Sequence, residues 1–187
     1  MSSPGPGPTA DVSVRVAWAD DAEAIAAVQA RAWRQEYVDL LPPDVLAAVE
    51  PDALATAWRQ SLSKPVDARN RVLVALERNS VRGFAITSPC PDPDADPVAD
   101  GEVSELTVDP DHTREGHGSR LLQACADTLR ADRFTRAVLW LNSTDDVRRE
   151  FVGAAGWAPD GAHRELDLRG DGEVQVKQVR LHTDLSE

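Results

Sequence analysis

Apolar residues along the chain recur at two spacings, every second position and every third or fourth, and the changes between them mark out the elements. Val12, Val14 and Val16 alternate with Ser13 and Arg15 and predict a first strand. Asp20-Asp21 offers caps for a helix over about 22–37. Its apolar side is Ala22, Ile25, Ala26, Val28, Ala32, Trp33 and Tyr37, interrupted by Gln29 and Glu36, so part of that face is expected to border solvent or a site. Leu40-Leu41-Pro42-Pro43 breaks the helix. A second helix, starting at Asp44 or Pro51 and broken or kinked near Pro51, runs to Leu62 and carries Trp58. Arg71 to Glu77 is a central apolar strand, and after an Arg78-Asn79-Ser80 turn Val81 to Thr87 returns beside it. Ser88 to Asp100 is so rich in proline and aspartate that it predicts a mobile, unpacked loop.

In the stretch from Gly101 to Arg130 the spacing changes within a few residues. Val103, Leu106 and Val108 are strand-like, and Asp109-Pro110-Asp111 stops the ladder. From Gly118 onward Leu121, Leu122, Cys125 and Leu129 share one helical face. Arg136 to Leu141 predicts another buried strand, Asn142 to Asp145 supplies caps for a helix to about Ala155, and Gly156 ends it. Trp157 starts the return to sheet, and Glu165–Leu168 and Val174–His182 predict strands around Arg169-Gly170-Asp171-Gly172. This order predicts an α/β fold: an α+β mixed sheet of six to seven strands, antiparallel around its early hairpin, with helices on both faces. The strand–helix–strand unit Gly101–Leu141 predicts one parallel pair.

Charge and composition narrow the chemistry. Among 187 residues 20 are basic and 32 acidic, a net −12, which argues against nucleic acid as a partner; the acidity chiefly reads as a device for solubility and only weakly favours a cationic or amine substrate. No apolar run approaches the ~18 residues of a membrane helix, so no membrane partner is expected. Residues 1–11 read as a flexible Pro/Gly/Ser-rich tail before a single domain over 12–187; they lack an export-signal core, and the expected location is cytoplasmic. The two cysteines, Cys90 and Cys125, form no disulfide framework and lack zinc-site spacing, and no metal is expected.

Gly116 and Gly118 stand where a loop becomes a helix. A helix start leaves N–H groups unpaired and partly positive, and glycine lets a ligand approach them, so the junction predicts an anion site, most simply for phosphate. No Walker loop or Ser/His/Asp set accompanies it.

The segment VDPDHTREGHGSRLL resembles the acyl-CoA pyrophosphate loop of the GNAT N-acetyltransferases. The family pattern, Gln/Arg-x-x-Gly-x-Gly/Ala, falls on Thr113-Arg114-Glu115-Gly116-His117-Gly118, with Thr113 in place of the usual first residue. The order of elements over Val12–His182 is similar as well. The resemblance implies a V-shaped split between two parallel strands, holding acetyl-CoA as acyl donor. Backbone N–H groups of Arg114, Glu115, Gly116, His117, Gly118 and Ser119 would hold the pyrophosphate beside Thr113. Leu106, Thr107 and Val108 would pair with the pantetheine arm, and Asn142 would contact the donor through its side chain. The His117 side chain is expected to face solvent. Trp33, Tyr37 and Trp58 lie on the helices that border the acceptor in that family.

Acetyl transfer needs a neutral amine, and an alkylamine of pKa about 10.4 needs a base. Glu102 aligns with the base of the histone-modifying members and is the first candidate; Glu105 is the second and Glu36 a distant third. The tyrosine that serves as acid in many members is replaced by Val152. The implied function is N-acetyl transfer from acetyl-CoA to a small-molecule or protein amine by direct attack. Two alternatives remain: a CoA-binding domain without catalysis, favoured by Val152 and Thr113, and an unrelated nucleotide-binding α/β protein. The exposed final strands suit pairing in a homodimer.

Overall fold

The structure, a computed structural model, describes residues 11–186. The tail expected over 1–11 lies outside them apart from Asp11. Among the described residues seven strands form one sheet: β1 (Val12–Val16), β2 (Arg71–Glu77), β3 (Ser80–Pro89), β4 (Asp100–Val108), β5 (Arg136–Asn142), β6 (Ala158–Asp167) and β7 (Gln175–Asp184). Their order is β1-β2-β3-β4-β5-β7-β6, and every neighbouring pair is antiparallel except β4 and β5. The helices are α1 (Ala22–Glu36), α2 (Pro43–Ala47), α3 (Pro51–Ser63), α4 (His117–Ala131) and α5 (Asp146–Ala154).

Alternate residues of a strand serve opposite faces, and β2 feeds two cores. Leu73 and Ala75 pack with Leu121, Leu122, Cys125 and Leu129 of α4; Val74 and Leu76 pack with Ile25 and Val28 of α1 and Trp58 of α3. A Cβ on Gly101 would come within 2.6 Å of Leu129 Cδ2 and 3.0 Å of Phe134. Only a glycine in β4 lets α4 and the turn after it sit this close, which brings β5 back parallel beside it.

The 88–100 segment is a correction to the sequence reading, because it packs. Cys90 is buried, and Asp92 and Asp94 accept from Arg180 at 2.9 and 2.6 Å. Arg180, 7% exposed, also pairs with Asp160 at 2.7 Å, and Asp160 with Arg136 at 2.6 Å. The aspartates that read as a solvated run neutralise a guanidinium about 85 residues away, a pairing that local composition does not reveal. β6 is also longer than the sequence suggests, since a register shift between Pro159 and His163 absorbs its irregular start.

Candidate active site

β4 and β5 pair over three positions only, Asp100–Arg136, Gly101–Ala137 and Glu102–Val138. Beyond them β4 stays with β3 as far as Val108–Gly83, β5 stays with β7 as far as Asn142–Gln178, and the sheet opens between them. On β4 the register shifts after Val103, so that Ser104 is the extra residue of a bulge and Glu105 resumes opposite Ile86. Bulges re-aim side chains next to functional sites. A cavity of about 420 Å³ occupies the opening. Its walls are Trp33, Glu36 and Tyr37 of α1, Glu105, Leu106 and Val108 of β4, Trp140 and Asn142 of β5, and Arg148, Phe151 and Val152 of α5, with Thr113 from the loop.

The loop end of the split is backbone. Asp109, buried at the end of β4, is gripped by Arg31 of α1 at 2.6 and 3.2 Å and itself caps a short 3-10 turn over Pro110–His112. Arg114 (φ 62°) and Gly116 (φ 84°) are left-handed and turn the chain sharply into α4. The first-turn N–H groups of His117, Gly118 and Ser119 have no carbonyl one turn earlier to bond. A Cβ on Gly118 would meet Phe151 at 3.4 Å and Val108 at 3.5 Å, so this glycine lies against the cavity's apolar wall. Arg114, Glu115 and Ser119 are exposed, leaving their backbone open to a ligand. The His117 ring lies inside the fold, at 2% exposure, where the sequence had suggested solvent. It is the first residue of α4, and the turn at Gly116 directs it inward.

The opposite end is made of side chains. Glu36 accepts from Asn142 Nδ2 at 3.4 Å and faces Arg148 Nη2 at 3.5 Å, and Asn142 Oδ1 accepts from Gln178 at 3.1 Å. The expected donor contact Asn142 is thus engaged with Glu36 and Gln178 at the cavity wall. Glu105 accepts from the Thr107 hydroxyl. Burial raises the Glu105 carboxyl pKa, with Glu36 adding to the rise and Thr107 and Arg148 opposing it. The Tyr37 hydroxyl is pushed up to about 12 by burial and by the charges of Glu36 and Glu105. Two glutamates and Asp145 face one arginine here, a balance that suits a cation.

Glu102 is buried but is absent from the cavity wall. Its pKa is raised to about 7 by burial and by Asp92, with Arg164 opposing. The Trp140 indole, which does line the cavity, donates to Asp92 at 3.1 Å and is stacked by Arg164 at 4.2 Å. Glu102 therefore shares its electrostatic surroundings with one wall of the cavity without reaching the cavity itself. Trp58, expected beside an acceptor, is in the α1–α3 core, where Nε1 donates to Gln29 at 2.8 Å. Of the two interruptions on the face of α1, Gln29 satisfies this tryptophan and Glu36 serves the cavity. Sequence reasoning missed Arg31 and Arg148; their only signal is a basic residue one helical turn from a site residue.

The Acetyltransferase (GNAT) family model matches residues 30–157. The chain is 28% identical over 130 residues to the uncharacterized N-acetyltransferase YuaI of Bacillus subtilis (strain 168), covering 70% of this chain and 71% of that one. Its fold is similar to the ribosomal-protein-S5-alanine acetyltransferase of Vibrio fischeri, with a TM-score of 0.72, 16% identity and 97% of each chain covered. It is also similar to the PaiA N-acetyltransferase of Thermoplasma acidophilum in complex with coenzyme A, with a TM-score of 0.67, 15% identity, and 92% of this chain and 98% of that one covered.

Proposed function

Because the chain belongs to the GNAT acetyltransferase family, we propose that it moves the acetyl group of acetyl-CoA to a cationic amine, by direct attack while both substrates are bound. The observation that carries this reading is the acidic cavity in the opening between β4 and β5, with an anion-seeking helix start at one end and Glu36, Glu105 and Tyr37 at the other. The residues present suit the donor. The left-handed turn at Arg114 and Gly116 supports a reading in which successive N–H groups of Arg114 to Ser119 would be offered to a pyrophosphate. β4 beyond Glu102 has no β5 partner, which leaves Leu106, Thr107 and Val108 available to an extended pantetheine arm.

In the transfer, the amine nitrogen bonds to the thioester carbonyl carbon, the carbon–sulfur bond breaks, and coenzyme A leaves as its thiolate. We give the proton that the ammonium must lose before it attacks to Glu105, which faces the cavity and whose raised pKa brings it nearer the working range of a base, and the second nitrogen proton passes to solvent as the amide forms. Glu102, favoured by sequence, supports the floor beneath Trp140 in this reading. Val152 cannot donate a proton, and a thiol of pKa about 8.5 departs without full protonation. Ground-state binding of the acceptor cation falls to Glu36 and Tyr37, with Trp33 beside them.

Turnover on a panel of small amines, polyamines and peptide N-termini, followed by free-thiol release, tests this. Cationic amines are expected to turn over and neutral isosteres to fail. Tight acetyl-CoA binding with no turnover on any amine would instead leave a CoA-binding domain without catalysis, the outcome that Val152 favours.

A further inference from the structure

Glu77 ends β2, His112 closes the 3-10 turn, Glu115 sits in the glycine loop and His117 begins α4. Nothing in their spacing along the chain suggests a common purpose. In the fold, one ligand-type atom from each of Glu77, His112 and Glu115 lies within 4.8 Å of the others. His112 Nδ1 is 3.2 Å from Glu115 Oε2, and His117 Nε2 is 3.4 Å from the same oxygen. His117 is 2% exposed, and among the described residues neither of its ring nitrogens has a hydrogen-bond partner of good geometry. A buried imidazole without a partner is costly, and this one points Nε2 into the cluster. Glu77 accepts from Arg82 through Oε2 at 3.0 Å, and a carboxylate carries a second oxygen.

We infer that Glu77, His112, Glu115 and His117 form a binding site for a divalent transition-metal ion, zinc in the first instance, beneath the glycine loop. Two imidazoles and two carboxylates are the donors zinc takes, at about 2.0–2.2 Å. A tetrahedron with such bonds has ligand–ligand edges of about 3.3–3.5 Å; the 3.4 Å separation of His117 from Glu115 falls within that range and the 3.2 Å separation of His112 from Glu115 just below it. Calcium and magnesium prefer sets made wholly of oxygen. None of the four residues lines the cavity between β4 and β5, so the ion would occupy a separate place. It would join the end of β2 to three points on the segment leading into α4. That segment includes Arg114 and Gly116, both with left-handed backbone. The ion's role is to brace the loop from behind, and its binding does not depend on which ligand the loop takes in front.

Calorimetric titration of the metal-free full-length chain with zinc chloride tests the site, together with visible spectroscopy of the cobalt(II) form. Expected are one saturable ion per chain, tetrahedral cobalt absorption, and a Tm raised by about 5–10 °C at a hundredfold excess over Kd. The variants of the two half-buried ligands, His112→Ala and Glu77→Gln, should bind zinc at least about tenfold more weakly while keeping the circular dichroism of the parent. Absence of saturable one-to-one binding overturns the inference. So does zinc affinity that His112→Ala leaves unchanged, since the ion would then be held elsewhere.

Discussion

At the glycine-loop end of the split, what faces a ligand is main chain: unspent N–H groups of the first turn of α4, a left-handed Arg114 and Gly116, and the unpaired length of β4. At the far end it is side chains, with Glu36 from α1, Glu105 from β4, Asn142 from β5 and Arg148 from α5 converging from positions as much as 112 residues apart. Backbone groups are the same in every residue, so the first surface is built by geometry and tolerates exchange of most side chains. The second is defined by which side chains are present and can be retuned one residue at a time. A shared donor and a variable acceptor would call for this division of labour.

Substitutions that should affect one end and spare the other test the comparison. The largest effect is expected from Glu105→Gln, which removes the proposed base: kcat should fall by about 10²–10⁴ with little change in the Kd of acetyl-CoA measured calorimetrically. A parallel loss of donor affinity would show that the two ends are not separable. Gly118→Asp should do the reverse, weakening acetyl-CoA by about 10²–10³-fold, because a carboxylate would sit at the helix start proposed to hold the pyrophosphate and against Phe151. Gly118→Ala is its control: the new Cβ makes contacts of 3.4–3.5 Å, so the fold should keep its urea midpoint.

Glu102→Gln probes the floor between the ends. A carboxyl raised from 4.5 to about 7 binds its proton more tightly folded than unfolded. The native state is therefore favoured below pH 4.5 and loses that advantage as pH rises to about 7, on the order of 3 kcal/mol. Urea midpoints of the parent should fall between pH 4.5 and 7 relative to those of Glu102→Gln. Equal slopes would mean that Glu102 is not the protonated group at the floor. The smallest effect is expected for Gly116→Ala, about 1 kcal/mol of strain from φ 84°, since the flexible Arg120 tip 3.1 Å away can move. Thermal melts would read it.

The same division explains what the sequence disclosed. The seven-stranded sheet, its parallel pair and the loop-to-helix junction were legible, because periodicity, glycine position and proline punctuation are local signals. Glu36 was flagged as a break in an apolar stripe, but its partners Asn142 and Arg148 were out of reach, since nothing local ties α1 to α5. The aspartate-rich 88–100 segment failed for a related reason: charge density reads as solvation until Arg180 is known to lie opposite. His117 failed because a histidine between two glycines looks exposed, and only the turn at Gly116 decides which way it points.

The three-residue pairing of β4 with β5 has a dynamic corollary. Past Glu102 and Val138, the amides of each strand that face the gap have no cross-strand carbonyl, so they should exchange with deuterated solvent far faster than those facing β3 or β7. A sheet normally loses protection from its outer strands inward. This one should lose it first in the middle, and regain it there only when an extended ligand fills the gap.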